Sequence, residues 1–231
     1  MLKTLFSAAV LSAMAATPLA AQDIDADAPP AQRQMSDYAT IDYNLQEDRD
    51  NILFLDLSNG QRVAIRLMPD WAPHHVERVK TLAREGFYDG VIFHRVIDGF
   101  MAQTGDPTGT GQGGSELPDL KAEFNPMPHV RGTVSMARAQ AEDSANSQFF
   151  IVFYPRFSLD QNYTNFGRVI AGMDAVDAIN RGEPPTNPTR IVQASIAADN
   201  RPAPSPAQMA APANTDARTM SVDELNAPIG E

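Results

Sequence analysis

The chain has 231 residues, of which 43% are hydrophobic and 20% are charged, which is enough for one globular domain with flanking segments. It contains no cysteine, and this excludes disulfides, thiolate metal sites and cysteine nucleophiles. The formal net charge is −11, so we expect no sequence-independent binding to nucleic acid or to an anionic membrane surface.

The first 21 residues have the layout of a secretory signal peptide. Lys3 gives a short positive start, residues 5–16 form an apolar run, and small side chains end at Ala21. The alternative is a membrane anchor, but the run is shorter than the roughly 20 residues that span a bilayer. We therefore expect cleavage after Ala21, no stable membrane insertion of the mature chain and a periplasmic location, which the absence of cysteine also favours.

Composition divides the remaining chain into three parts. Residues 22–48 are rich in Asp, Ala, Gln and Pro without sustained periodicity, which predicts a flexible lead-in. Residues 200–231 are rich in Ala and Pro and poor in large apolar side chains, which predicts a disordered tail. The folded domain is therefore expected over residues 49–199.

Within this domain the pattern predicts many short strands and two helices. A strand over 51–57 and another over 62–67 flank Asn59-Gly60, a typical hairpin turn. A helix is expected over 70–84, with Asp70 as its cap, and a second helix over 173–180. Further strands are expected at 91–96, 100–103, 132–137, 148–153, 166–170 and 191–197. This pattern indicates a closed or nearly closed antiparallel sheet.

Two segments carry a resemblance to a known family. Residues 93–106 read FHRVIDGFMAQTGD, and residues 147–151 read SQFFI, preceded by GTVSMAR at 132–138 and followed by NFGRV at 165–169. In this order they resemble the cyclophilin-type peptidyl-prolyl isomerases over about 51–197. The resemblance implies a mainly β, closed eight-stranded antiparallel β-barrel, capped by two α-helices, with a substrate groove on its outer face.

The resemblance also implies a reaction, the cis–trans isomerisation of X-Pro peptide bonds. The partial double bond of the amide raises a barrier of ~18–20 kcal/mol, and a fixed donor near the prolyl nitrogen favours the twisted amide. Arg95 matches the family's catalytic arginine, and Gln103 matches the glutamine that holds this arginine and a substrate carbonyl. The alternatives are a surface ion pair for Arg95 and an ordinary polar strand residue for Gln103.

Other positions match the family's substrate groove, where aromatic and thioether side chains give a proline ring a large contact area. The substrate-binding residues so implied are Phe100, Met101, Ala137, Arg138, Ala139, Gln148, Phe150, Leu159 and Tyr163. Without the resemblance, the apolar members would be interpreted as barrel core. Ser158 falls where many relatives carry a groove tryptophan, and Tyr163 falls where they carry a histidine.

No motif for a cofactor or metal is found. His74 and His75 are adjacent, so on a helix they point about 100° apart, which is poor geometry for chelation. The glycine cluster at 109–114 lacks the Lys-Ser/Thr of a phosphate-binding loop. The expected partners are proline-containing segments of unfolded or newly exported proteins, and no pattern indicates an oligomer, so we expect a monomer.

Three functions remain to be compared. The first is a periplasmic prolyl isomerase, and the second is a binding module with the same fold that holds proline segments and catalyses little. The third is a scaffold that works through its Ala/Pro-rich tail. The presence of Arg95 together with Gln103 and Phe150 favours the enzyme.

Overall fold

The structure is a computed structural model that describes residues 38–210 of the chain. The predicted signal peptide, the first part of the predicted lead-in and most of the predicted tail lie outside these residues. The described chain is mainly β, with eight strands that pair antiparallel throughout. The strands are β1 (Ile52–Leu57), β2 (Arg62–Leu67), β3 (Arg95–Ile97), β4 (Met101–Thr104), β5 (Thr133–Met136), β6 (Phe149–Val152), β7 (Asn165–Ala171) and β8 (Ile191–Ile196).

The helices of the described part are α1 (Pro73–Arg84), α2 (Met173–Asp177) and α3 (Pro206–Ala210), with 3-10 turns at Arg49–Asn51, Phe157–Leu159 and Ala197–Asp199. The two expected helices are thus present, but α2 is shorter than its pattern predicted. The third helix lies in the segment predicted as a tail. The predicted hairpin joins β1 to β2, and Gly60 adopts the positive φ of 83° that its turn requires.

The sheet curls into a half-barrel with the strand order β3-β4-β6-β5-β7-β2-β1-β8. Its two edge strands are joined through the residues that precede them: Ile92 forms a single antiparallel bridge with Arg190, and the backbone N of Gly90 donates to the O of Ile191. The expected eight antiparallel strands are therefore confirmed. A fully closed barrel is a stronger description than this pairing supports, because isolated bridges take the place of a continuous ladder.

Helix α1 packs on the inner face of this sheet. Its apolar side chains Val76, Val79 and Leu82 belong to the main core, together with alternate residues of β1 and β2. The cap differs from the prediction. Asp70 accepts a hydrogen bond from the backbone N of Ala39 instead of capping the helix.

The N-terminal amides of α1 are capped by Glu123, which lies far along the chain. Its two carboxylate oxygens accept the backbone N–H groups of His74 and His75 at 3.2 Å each. The same oxygens lie 2.6 Å from the ring Nδ1 atoms of these histidines. Both histidines therefore dock a loop onto the helix, and across residues 38–210 no group of three or more acidic or histidine side chains is placed to hold a metal ion.

The end of the predicted lead-in packs against the domain. Tyr38 is buried with Met68 and Trp71, and the indole N–H of Trp71 donates to the backbone O of Ala39 at 3.0 Å. This contrasts with the flexible segment that composition predicts over 22–48, since the residues from Tyr38 onward make defined contacts.

Arg66 in β2 organises the same segment. It is 2% exposed, and its guanidinium donates to four backbone carbonyls, those of Asp42, Asn44, Glu47 and Asp48. A buried charge is tolerated only when its hydrogen-bond donors are satisfied, and here the chain before β1 supplies the acceptors.

The start of the predicted tail is also attached. Gln193 in β8 donates to the backbone O of Pro202 at 2.9 Å, and Arg201 pairs with Asp89 at 2.9 Å. The remainder of 200–231 beyond residue 210 lies outside the described residues. No helix within the described part of the chain is both long and apolar enough to cross a bilayer.

We predict that Arg66→Ala lowers the free energy of unfolding by about 3 kcal/mol or more, because it removes a buried guanidinium that donates to four backbone carbonyls. Urea denaturation followed by circular dichroism measures this loss. Arg131→Ala, which removes an exposed ion pair to Asp177 and one hydrogen bond to the backbone O of Phe153, should cost less, about 1 kcal/mol. Equal losses in the two variants would contradict the role assigned to Arg66.

Candidate active site

Strand pairing places the two candidate catalytic residues side by side. Arg95 in β3 lies opposite Gln103 in β4, Gln103 lies opposite Phe150 in β6, and Phe150 lies opposite Ser135 in β5. Because side chains alternate between the two faces of a sheet, these four residues share one face. It is the outer face, since intervening residues such as Ala102 belong to the interior core.

An apolar cluster lies beside this row on the same face. Met101, Phe150 and Val152 are buried there, with five partly buried side chains packed against them: Ile97, Phe100, Ala137, Leu159 and Tyr163. The cluster is separate from the interior core. It unites most of the apolar residues that the resemblance implied for a proline slot, and it shows that they are not ordinary barrel core.

Tyr163 and Phe150 are in direct ring contact within this apolar cluster. Their rings meet edge to face with centroids 5.7 Å apart, a favourable arrangement for aromatic rings. Phe157, the neighbour of Ser158, is 64% exposed and does not join the cluster. The aromatic wall at this end is therefore provided by Tyr163.

A polar cavity of about 480 Å³ adjoins Gln103. Its walls include the remaining predicted groove residues, Ala137, Arg138, Ala139 and Gln148, and the glycine-rich loop. Gln103 Nε2 donates to Gln148 Oε1 at 2.9 Å, and Gln148 Nε2 donates in turn to two backbone carbonyls of that loop. The two glutamines thus tie the outer face of the sheet to the loop.

The buried carboxylate of Asp106 anchors the glycine-rich loop through hydrogen bonds. It is 1% exposed and accepts hydrogen bonds from the backbone N of Thr108 and of Gly111. Burial raises the pKa of Asp106, but the hydrogen bonds from Thr108, Gly113 and Gly111 outweigh it and lower the pKa to about 2. The carboxylate is therefore ionised near neutral pH, and the loop keeps its anchor.

Arg138 forms a fixed wall of the cavity. Its Nε donates to the backbone O of Asn162 at 3.0 Å, and its Nη1 donates to the carbonyls of Ala139 and Gln140 at 3.1 Å. Its guanidinium lies 4.9 Å from the ring centroid of Tyr163. The Arg138 side chain therefore links the segment at 139–140, which flanks the cavity, to the loop at Asn162.

Arg95 has a partner that sequence reasoning missed. No side-chain hydrogen bond joins Arg95 to Gln103 within the described residues, although the two residues are partners in the β3–β4 ladder. Instead, Arg95 Nε donates to Glu183 Oε2 at 2.8 Å, while 41% of the arginine side chain remains exposed. Glu183 follows Arg95 by 88 residues, in a loop whose sequence indicates only a turn, so no local signal marks it.

His129 is a second missed residue. The sequence places it in a loop, yet it is fully buried, with its ring stacked on Phe150 at 6.3 Å. Its Nδ1 lies 2.9 Å from Asp160 Oδ1 and its Nε2 lies 3.0 Å from Ser135 Oγ. His129 therefore supports the apolar cluster from behind and connects it to the loop that carries Leu159.

Comparisons with known proteins agree with this geometry. The family model described as cyclophilin type peptidyl-prolyl cis-trans isomerase/CLD matches residues 54–196. A relative from Brucella suis, named a probable peptidyl-prolyl cis-trans isomerase, is 49% identical over 170 residues, covering 67% of this chain and 86% of that protein. Peptidyl-prolyl cis-trans isomerase B of Bacillus subtilis is 42% identical over 128 residues, covering 55% of this chain and 89% of that protein.

Two solved structures are similar to this one. Cyclophilin AquaCyp293 from Hirschia baltica has a TM-score of 0.62 at 30% identity and covers 67% of this chain and 77% of its own. A Cryptosporidium parvum cyclophilin-type isomerase, solved in the presence of the dipeptide Ala-Pro, has a TM-score of 0.58 at 28% identity and covers 63% of this chain and 98% of its own. The chain therefore belongs to the cyclophilin-type peptidyl-prolyl cis-trans isomerases.

Two buried histidines make the stability of the domain depend on pH. Burial lowers the pKa of His129, although Asp160 partly opposes this, and burial also lowers the pKa of His94, which Asp106 partly opposes. The unfolded chain, with a histidine pKa of 6.5, therefore binds more protons than the folded protein just below that pH. Stability is lost as the pH falls below 6.5.

We predict a smaller free energy of unfolding at about pH 5.5 than at about pH 7.5, by at most about 1.4 kcal/mol per pH unit for each of these histidines. Urea titrations at the two pH values measure the difference. In His129→Gln, which does not titrate, the difference should shrink. An unfolding free energy that rises towards pH 5.5 would contradict this assignment.

Proposed function

We propose that this isomerase accelerates X-Pro isomerisation in unfolded, exported proteins, with Arg95 as its catalytic residue. One observation carries the proposal: a half-exposed guanidinium lies in strand register with Gln103 and Phe150, beside an apolar cluster on the outer face of the sheet. A peptide can reach that face without entering the filled interior of the half-barrel.

The chemistry requires charge and orientation, and no covalent step. In the transition state the peptide bond is twisted, its resonance is lost and the prolyl nitrogen gains a localised lone pair. A donor already held near that nitrogen stabilises this state more than the planar amide, which is the condition for catalysis. Arg95 supplies such a donor, and the pocket holds the proline ring while the rest of the peptide rotates.

The remaining residues bind the substrate. The proline ring packs on Phe100, Met101 and Phe150, where a thioether and two rings offer a shape-tolerant apolar surface. The residue before proline lies along Ala137–Ala139, next to the cavity. The side-chain amide of Gln103 donates a hydrogen bond to a carbonyl of the substrate. The Ala-Pro dipeptide named for the Cryptosporidium parvum relative supports this choice of ligand.

Export is proposed from the N-terminal sequence. Its short positive start, apolar run and small residues up to Ala21 match a cleaved signal peptide, and the absence of cysteine suits a bacterial periplasm. The clients would then be proteins that have just crossed the inner membrane, when their X-Pro bonds equilibrate over tens to hundreds of seconds. A monomer suffices, since one chain supplies the whole groove.

We predict that Arg95→Ala lowers kcat/KM by ~100-fold or more with little change in stability, because it removes a donor used mainly in the transition state. Arg95→Lys should recover only part of the activity, since an ammonium lacks the forked donors of a guanidinium. The measurement is NMR exchange spectroscopy on a short Ala-Pro peptide, with circular dichroism to confirm folding. Activity retained in Arg95→Ala would refute the assignment and favour a binding module.

Export is tested by expressing the full chain, and a variant lacking residues 1–21, in a Gram-negative bacterium. We predict that the full chain is recovered from the periplasm and that its mass is that of a chain beginning at Gln22. The shortened chain should remain in the cytoplasm. A full chain found uncleaved in the membrane fraction would instead support an N-terminal anchor.

A further inference from the structure

The position of Arg95 on an edge strand exposes it to a second element. On one side β3 pairs with β4, and on the other side it faces the loop that leads into β8. Val96 and Gly182 exchange two backbone hydrogen bonds, Val96 N to Gly182 O at 2.8 Å and Gly182 N to Val96 O at 2.9 Å. This isolated bridge fixes where the loop meets the strand.

The bridge brings Glu183 next to Arg95. Arg95 precedes Val96 and Glu183 follows Gly182, and because the bridge is antiparallel these two residues lie opposite each other. The only hydrogen bond that the Arg95 guanidinium makes within residues 38–210 runs from Nε to Glu183 Oε2, at 2.8 Å. Its two Nη groups have no protein partner in that range. The contact therefore holds the arginine by its inner nitrogen and leaves the outer donors available.

The loop that carries Glu183 is itself anchored by Arg181, the residue before the bridged Gly182. Arg181 donates to Asp98 at 3.2 Å and to the backbone O of Asp177 at 2.9 Å, and its guanidinium lies 4.2 Å from the ring centroid of Phe153. Gly182 has a φ of +143°, which side-chain-bearing residues rarely adopt. The carboxylate is thus presented by a built loop, unlike the partner of a chance ion pair between two free side chains.

We propose that Glu183 is a positioning residue for Arg95. By accepting the Nε–H it fixes the plane of the guanidinium, so that the Nη donors face the substrate in one orientation. This inference rests on the catalytic role proposed above for Arg95. Without such a contact, a long, half-exposed arginine side chain samples many rotamers. A catalysed reaction is slowed strongly when the catalytic group is displaced even slightly from its productive position.

The carboxylate also has an opposing effect, because its negative charge weakens the field of the guanidinium at the prolyl nitrogen. Half of the Glu183 side chain is exposed, with 52% accessible to solvent, so water screens this charge. The orientation of the hydrogen bond is local and is not screened in the same way. Positioning and charge therefore predict opposite results when the carboxylate is removed.

The test compares wild type with Glu183→Ala, Glu183→Gln and Arg95→Ala in NMR exchange measurements on an Ala-Pro peptide. For Glu183→Ala we expect kcat to fall about five- to ten-fold with KM within about two-fold of wild type, because binding in the apolar pocket is unchanged. Glu183→Gln should keep at least about half of kcat, since the amide oxygen still accepts the Nε–H. Asp199→Ala, which removes an exposed carboxylate partner of Arg84 and touches neither the loop nor the groove, should leave kcat unchanged.

A spectroscopic measurement separates positioning from general damage. The Arg95 Nε–H resonance, identified by its loss in Arg95→Ala, should exchange slowly with water in wild type and in Glu183→Gln, and quickly in Glu183→Ala. Unchanged kcat in Glu183→Ala, a rise in kcat, or an equal fall in Glu183→Ala and Glu183→Gln would each overturn the proposal. If Arg95→Ala keeps its activity, the proposed role of Arg95 fails instead.

Discussion

The register of β3, β4 and β6 is the constraint on which the site depends. Arg95, Gln103 and Phe150 lie in one row across three neighbouring strands only because these strands pair in that register. A shift by one residue would turn all three side chains into the interior and bring Ala102 to the surface. The interior core sets the register, because it buries Val96, Ala102 and Ile151 on the opposite face. Folding and active-site assembly are thus decided by the same pairing.

The two faces of the half-barrel divide stability from function. The interior is packed with large apolar side chains from the strands and α1, as expected of a core that stabilises the fold. The smaller outer cluster around Met101 and Phe150 packs enough to hold its shape and remains partly exposed. A rigid sheet carries the polar donors, while the loops close the groove around them, which suits a reaction that depends on preorganised charge.

Buried or partly buried polar side chains hold those loops. Each one forms hydrogen bonds with the backbone or with a side chain of the loop. Arg66 gathers the carbonyls of residues 42–48, and Asp106 receives the amides of the glycine-rich loop. Glu123 and His129 both lie in the long connection from β4 to β5, and they dock it on α1 and behind Phe150, respectively. Segments with little apolar content are ordered in this way, because the hydrogen bonds satisfy groups that burial would otherwise penalise.

Local patterns in the chain were sufficient for some of this description. The hairpin at Gly60, the amphipathic helix α1 and the short strands follow from periodicity and turn residues. The roles proposed for Arg95 and Gln103 came from the resemblance of residues 93–106 to the cyclophilin-type isomerases. Composition does not reveal the contacts of residues 38–48, because these depend on Arg66, a buried charge whose acceptors lie about 20 residues away.

By itself, the sequence determined the family, the mainly β fold and the residue types that a prolyl isomerase needs. The tertiary structure alone decided that Glu183 is the partner of Arg95, that Gln103 bonds to Gln148, and that His129 lies under Phe150. The reason is physical: propensity and periodicity act between near neighbours, whereas these contacts join residues from 21 to 88 positions apart. Only the pairing of distant strands and the docking of their loops brings such residues within hydrogen-bond distance.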